Sequence, residues 1–459
     1  MRLTQYFDSL RSKNISVLGA GISNQPLIRA LLQAGVTVKI FDKAPYDKNA
    51  DFYNSIAAFS PQIITGEDYL EQLDGDVIFR TPGLHPHHPA LRRALNNGSV
   101  LTSEMEVFFS LCPCKTIAVT GSDGKSTTST IIAELLKKAG YKVHLGGNIG
   151  NPLLTEVDSF LVSDIAVLEL SSFQLHSMFC SPTISVVTNI SPNHLDVHPS
   201  YEDYIDAKKQ IFLHQSKENI LVINADNEIT ASFEKMAAGR VLAFSRKNKT
   251  KDGFYCGIDG NIYSSRGEKI VSSDKIRIPG VHNIENFMAA FCAVCDLVSA
   301  DIMTEVAETF PGVPHRLETC VVHNDITFIN DSIASSPGRT IAGLACFSKK
   351  VILIAGGKDK GLSFDGLGDA ICQRCKKVFL TGPTAPAIEK AIKVSALYKP
   401  REPAIYVFED FRKMVEEACL TAEPGDTVLF SPASTSFDRF KNFEERGQCF
   451  KNIVGELLK

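Results

Sequence analysis

Residues 118–128 read Ala-Val-Thr-Gly-Ser-Asp-Gly-Lys-Ser-Thr-Thr. A β-prone run over 116–120 enters a turn carrying Gly121 and Gly124 and leaves it at Lys125-Ser126-Thr127-Thr128, ahead of an amphipathic run over 131–139. That order suits polyphosphate. Glycines let backbone N–H groups approach anionic oxygens, and the helix N-terminus adds the positive end of its dipole. Lys125 supplies a mobile cation, and the Ser126 hydroxyl can sit on Mg²⁺. The usual Walker spacing needs a glycine where Val119 stands, so this is a shortened variant. A chance glycine-rich turn would share the composition but not the strand before it and the helix after it. Nucleotide binding is therefore expected at Gly121, Ser122, Asp123, Gly124, Lys125, Ser126 and Thr127.

Three further clusters follow apolar strands. Glu169 ends the run Ile165-Ala166-Val167-Leu168-Glu169, where a carboxylate beside a phosphate loop can hold Mg²⁺, although a solvated strand-end acid has the same pattern. The loop Asn189-Ile190-Ser191-Pro192-Asn193-His194 follows the next strand; His194 there is either a metal ligand or a structural histidine. In the last third, the loops at 330–337, 356–361 and 431–440 are dense in polar groups, and Lys358 and Lys360 suit an anionic substrate as well as a solvated loop. Lys208, within an expected helix over 201–212, reads as an ordinary surface lysine.

These loops need strands to position them. With 459 residues the chain exceeds a single core and is expected to form about three domains. Strands at 15–18, 36–41, 62–65 and 76–79 alternate with helices at 26–34 and 89–96, a βαβ pattern that implies a parallel sheet. Gly19-Ala20-Gly21-Ile22-Ser23-Asn24 opens that segment and Asp42 ends its second strand, imitating a dinucleotide fingerprint whose third glycine is replaced by Asn24. The central segment has strands at 164–170, 183–189 and 219–224, then hairpin-like alternation over 253–278 and a helix reaching 298. A Pro311-Gly312-Val313-Pro314 linker precedes the last α/β segment, with strands at 326–330, 351–354, 377–380, 404–407 and 427–430 and a helix at 409–422. The fold expected is α/β in three domains: a Rossmann-like domain over 1–103, a P-loop ATPase-like domain with a parallel sheet over 104–312, and a second Rossmann-like domain over 313–459.

Composition narrows the function. A net charge of −4 gives no basic excess for nucleic acid. Apolar stretches are only strand-length and the first residues lack a signal-peptide core, so a cytoplasmic protein without membrane association is expected. Of the 12 cysteines, Cys292/Cys295 and Cys372/Cys375 have CxxC spacing but lie in helix-like apolar segments, which favours buried free thiols over zinc.

Taken together, TGSDGKSTT at 120–128, ELSSFQL at 169–175, the NISPNHLD loop, GVHNIEN at 280–286 and PHRLE at 314–318 resemble the Mur ligases, ATP-dependent amino-acid-adding enzymes of peptidoglycan precursor synthesis. The run from Ser431 to Gly447 looks like the D-glutamate-adding branch, and the Asp-Asn-Pro-Arg motif of the diaminopimelate- or lysine-adding relatives is absent. The resemblance implies that Lys125 and the loop amides hold ATP, with Ser126 and Glu169 at one Mg²⁺. It implies that His194 and Lys208 serve a second Mg²⁺, Lys208 as a carbamate formed with CO₂. Asn286, Arg316 and Asp331 match positions closing the ATP site, and Asn148 a contact to the muramoyl-alanine portion. Ser335, Lys360, Ser436 and Phe443 match the D-glutamate pocket; Ile22, Ser23, Lys43 and Thr81 match the uridine-diphosphate end of UDP-N-acetylmuramoyl-L-alanine. A monomer is expected, with closure of the third domain over the second. Ile333 stands where many relatives have lysine, leaving Arg339 to supply the cation or none to do so. A folylpolyglutamate synthase-type ligase, a non-catalytic ATP-binding regulator, and a nicotinamide dehydrogenase resting on Gly19, Gly21 and Asp42 are the competing readings.

Overall fold

The computed structural model describes residues 1–458 apart from 22, 23, 151, 194–196, 279 and 360. The expected Ile22, Ser23, His194 and Lys360 sites lie outside the described residues. The chain divides into two compact units, residues 1–273 with 284–306, and residues 274–283 with 307–459.

The first unit carries two sheets. Strands β1 (Ile15–Leu18), β2 (Val38–Asp42), β3 (Gln62–Thr65), β4 (Val77–Phe79) and β5 (Val100–Thr102) form a parallel sheet in the order β3-β2-β1-β4-β5. The order of strand addition reverses between β1 and β4, which is where such sheets bind ligands. Strands β6 (Lys115–Thr120), β7 (Val143–Gly147), β8 (Ile165–Glu169), β9 (Ile184–Val187), β10 (Ile220–Asn224), β11 (Arg240–Ser245), β12 (Gly253–Cys256), β13 (Asn261–Ser264) and β14 (Lys269–Ser272) make the second sheet. Its order is β14-β13-β12-β11-β10-β9-β6-β8-β7; β12 still runs parallel to β11, and among the described strands only the β12–β13 and β13–β14 pairings are antiparallel, as the alternation over 253–278 implies. All five residues of β8 and the last five of β6 are buried, because βα crossovers cover both faces of a parallel sheet.

One hydrophobic core runs through both sheets, from Leu3, Phe7 and Leu31 through Phe108 and Leu154 to Ala118, Leu168 and Val187. Arg80, which follows β4, adds a polar tie. It is 2% exposed; its guanidinium donates to the carbonyls of Leu84 (2.7 Å) and Phe173 (2.8 Å) and to the Ser177 hydroxyl (2.9 Å). Burial pulls its pKa down to about 10, opposed by the charge of Glu106.

The second unit holds β15 (Glu318–His323), β16 (Ile326–Asn330), β17 (Val351–Gly356), β18 (Cys375–Thr381), β19 (Ala404–Phe408) and β20 (Thr427–Phe430), ordered β15-β16-β20-β17-β18-β19. Only β15 is antiparallel, an edge strand too short of apolar residues to be read from sequence. Alternate residues of β17 enter opposite cores, Leu353 and Ala355 with one helical layer, Ile352 and Ile354 with the other. The result is a doubly wound sheet.

The thiols are free, as expected. Cys292 and Cys372 are buried in helices, whereas Cys375 opens β18 rather than continuing a helix. Among the described residues no helix is long and apolar enough to cross a membrane.

Replacing Arg80 strands two carbonyls and a hydroxyl and leaves a cavity. Arg80→Ala should lower the unfolding free energy of the first unit by about 2–4 kcal/mol in denaturant titration, with Arg80→Lys recovering less than half. An unchanged midpoint for Arg80→Ala would show that the tie contributes nothing.

Candidate active site

β6 delivers the chain into the loop 121–124, and the helix Lys125–Lys138 leaves it with Ile131, Ile132, Leu135 and Leu136 packed inward. Two glycines make the turn possible. Gly121 (φ 148°) and Gly124 (φ 81°) lie in the left-handed half of backbone space, and a Cβ on either would strike Thr188 Oγ1 or Asn286 Oδ1.

The segment after β9 grips this loop. Asn189 accepts from the Ser122 amide through its carbonyl (2.9 Å) and from the Asp123 amide through its side chain (3.0 Å). Thr188 donates to the Asp123 carbonyl (2.5 Å), and the Ser122 hydroxyl lies 2.9 Å from Tyr204 Oη. The amides of Ser122 and Asp123 are thus engaged by protein, which shifts the anion-binding role toward Gly124 and the helix start. Lys125 Nζ donates to the carbonyls of Gly121 and Ser122, each at 3.0 Å, and so folds over the loop. Ser126 and Thr127 are each 8% exposed, and Asn286, also buried, accepts from Thr128 Oγ1 at 3.3 Å.

Glu169 lies beside the loop, since Val119 and Glu169 are register partners on adjacent β6 and β8. It is 2% exposed. One carboxylate oxygen accepts from Asn148 Nδ2 (2.8 Å), and among the described residues the other has no hydrogen-bond partner. A buried carboxylate oxygen left unpaired is costly in a finished site, and a cation is its natural partner. The Ser126 hydroxyl at the helix start supplies a second oxygen donor of the kind Mg²⁺ prefers.

Lys208 corrects the sequence reading. It is 1% exposed, not a surface residue, and its Nζ donates to the Gly121 carbonyl (2.7 Å) and to Thr120 Oγ1 (3.3 Å). Burial lowers its pKa well below the ordinary lysine value; Lys125 adds to that effect, and Glu169 and Asp123 oppose it. The signal was available. Tyr204, Ala207, Lys208, Ile211 and Phe212 form the inward stripe of the helix Tyr201–Leu213, so Lys208 occupies a core position.

In the first sheet, the Asp42 carboxylate accepts from the Ala20 and Ala44 amides (2.7 and 2.8 Å), and Asn24 donates to the carbonyls of Leu18 and Gly19. Both residues brace the glycine loop from inside, a role that a ribose-binding acid does not have. Thr81 packs over Gly19, while Lys43 is exposed and pairs with Glu67 at 3.3 Å.

In the second unit Asp331 is 4% exposed and accepts from Ser431 Oγ (2.7 Å) and the Leu317 amide (3.2 Å); burial raises its pKa to about 6, against those hydrogen bonds and the Arg316 charge. Ser335, Lys358, Phe364, Ala433 and Ser434 line one hollow, and Ser436 is buried on the same strand-end loop as Ser434. The Phe443 carbonyl accepts from Ser332 Oγ at 2.8 Å. Arg339 donates to the Ile333 carbonyl (3.1 Å), so a guanidinium does stand beside the residue that replaces lysine. Arg446, missed in the sequence, is consumed structurally by the Ser332 and Ser434 carbonyls.

A family model described as the Mur ligase middle domain matches residues 119–294, and one described as Mur ligase, glutamate ligase domain, matches residues 315–434. The chain is 47% identical over 462 residues to the UDP-N-acetylmuramoylalanine–D-glutamate ligase of Ruminiclostridium cellulolyticum, covering 99% of each. It is 48% identical, again over 99% of each, to the protein of the same name from Acetivibrio thermocellus. Among solved structures, MurF from Acinetobacter baumannii shares the fold with a TM-score of 0.59 at 14% identity, covering 99% of this chain and 98% of that one. UDP-N-acetylmuramate–alanine ligase from Thermotoga maritima does so with a TM-score of 0.58 at 18% identity, covering 97% and 99%. With near-half identity over its whole length and a phosphate loop built as described, the chain belongs to the Mur ligase family.

Proposed function

We propose that this chain is an ATP-dependent ligase joining D-glutamate to the alanyl carboxylate of UDP-N-acetylmuramoyl-L-alanine, in peptidoglycan precursor synthesis. The full-length relatives carry that activity in their names. The observation that carries the mechanism is the buried, half-satisfied Glu169 next to the phosphate loop.

In this reading the alanyl carboxylate attacks the γ-phosphorus of ATP, giving an acyl phosphate and ADP. The D-glutamate amine then attacks the acyl carbon, phosphate leaves, and an amide remains. Lys125 exchanges its two loop carbonyls for phosphate oxygens. Ser126 and Glu169 would hold one Mg²⁺, and His194 with Lys208 a second; bound there, the ions would offset the repulsion between carboxylate and triphosphate. The depressed pKa of Lys208 supports its part. A neutral amine can add to CO₂, forming an N–C bond and releasing a proton, which converts a cation into an anionic oxygen ligand. Asn148, already on Glu169, faces the muramoyl-alanine end; Ile22, Ser23, Lys43 and Thr81 take the UDP end. Ser335, Lys360, Ser436 and Phe443 take D-glutamate, and Asn286, Arg316 and Asp331 contact the nucleotide. The three segments 1–103, 104–312 and 313–459 are the corresponding lobes.

Phosphate release from ATP with UDP-N-acetylmuramoyl-L-alanine should require D-glutamate and not be supported by L-glutamate, L-alanine or L-lysine; comparable turnover with L-lysine would overturn the assignment. Lys125→Ala should reduce kcat by about 10²–10³-fold, while UDP affinity measured by calorimetry stays within about threefold of the parent. Glu169→Gln should move the half-saturating Mg²⁺ concentration upward by at least about tenfold. An unmoved Mg²⁺ curve would remove Glu169 from the metal site.

A further inference from the structure

Three segments of the first unit, distant in sequence, bring a second set of donor atoms together. His85 lies in the loop after β4, His176 caps the short helix Ser172–Leu175, and Asp203 sits in the first turn of the helix Tyr201–Leu213. His176 Nε2 is 3.0 Å from one Asp203 oxygen, and His85 Nε2 is 3.6 Å from the other. One donor atom from each residue lies within 4.8 Å of the others. The two imidazole rings meet edge-on with centroids 4.5 Å apart.

Hydrogen bonding accounts for only part of this arrangement. Asp203 already accepts from His176 and, at 2.6 Å, from His198 Nδ1. Among the described residues His85 Nε2 is shut off from solvent and has no hydrogen-bond partner, while its Nδ1 accepts from the His87 amide at 3.2 Å. A buried, orphaned ring nitrogen facing a carboxylate and a second imidazole is the exception that calls for a missing partner.

We propose that His85, His176 and Asp203 bind a divalent first-row transition ion, with Zn²⁺ the best match. Two imidazole nitrogens and one carboxylate oxygen are a zinc donor set, leaving the fourth position to water; Mg²⁺ would demand oxygens throughout. With metal–ligand distances near 2.0–2.1 Å, tetrahedral donors stand roughly 3.3 Å apart; His176 Nε2 is 3.0 Å from one Asp203 oxygen, His85 Nε2 is 3.6 Å from the other, and a small side-chain adjustment brings all three donors to that spacing. His198 serves as the outer support such ligands usually have, since its Nε2 lies 2.9 Å from Ser172 Oγ while its Nδ1 fixes the carboxylate. Binding moves the proton that His176 shares with Asp203 from Nε2 to Nδ1, so the ring stays neutral and frees Nε2 for the ion. The ion joins the loop after β4 to the helix that carries Lys208, through a donor set that shares no residue with Ser126 and Glu169.

The test uses the full chain stripped with a chelator and titrated with Zn²⁺ by calorimetry, with millimolar Mg²⁺ present throughout. One equivalent should bind, and the affinity should fall at least about tenfold in His85→Ala and in His176→Ala. Zn²⁺ should raise the thermal midpoint of the parent and not of these variants, and Co²⁺ should give the visible absorption of a four- or five-coordinate site only in the parent. His85→Ala alters a partly exposed loop side chain, so circular dichroism should show an intact fold. No saturable equivalent, or equal affinity in parent and His85→Ala, would overturn the proposal. So would an equivalent lost in Glu169→Gln but kept in both histidine variants, because that ion would sit at the phosphate loop.

Discussion

A lysine amine buried without an acid to pair with is the constraint around which the first unit is arranged. Lys208 donates to the Gly121 carbonyl and to Thr120 Oγ1, directly beneath the phosphate loop, and among the described residues it makes no ion pair. Keeping a full charge there would be expensive, so the group's proton affinity falls instead. The helix that carries it is anchored on both sides: Tyr204 reaches the Ser122 hydroxyl, and Asp203 gathers His176 and His198. Once the helix is fixed, the loop's floor is fixed, and the amine cannot turn out to water.

The same logic applies to Glu169. Its strand is buried on both faces, so its carboxylate has nowhere to go but the carboxyl edge of the sheet, where Asn148 satisfies one oxygen and protein leaves the other open. An amine short of charge and a carboxylate short of a partner, flanking one phosphate loop, are complementary deficits. Mg²⁺ and a carbamate would remove both at once, since each converts an unsatisfied group into half of a metal–oxygen contact.

What could be read from the sequence follows from how local each feature is. The phosphate loop was legible because two glycines, a lysine and the flanking periodicities fix its backbone within a dozen residues. β6, β8, β10, β17 and β20 were legible as unbroken apolar runs. Edge strands β5 and β15 were not, because half-exposed strands carry little apolar signal. Lys208 was misread by its residue type, although its place in the 204–207–208–211–212 stripe marks an inward position. The tether from Asn189 to the loop amides, the Arg80 tie and the gathering of His85, His176 and Asp203 depend on contacts across 27 to 118 positions of sequence, which no local pattern encodes. The D-glutamate residues were identifiable only through family likeness, because serines and a phenylalanine on loops carry no chemical signature of their own.

The most direct test of the central claim is carbon-13 NMR of the enzyme equilibrated with ¹³C-labelled bicarbonate at neutral to mildly alkaline pH. The account predicts a single carbamate carbonyl resonance, separate from bicarbonate and absent from Lys208→Arg. Its intensity should be about one per chain, because only an amine with a depressed pKa is neutral enough to react there. No carbamate signal, or one that persists unchanged in Lys208→Arg, would contradict it.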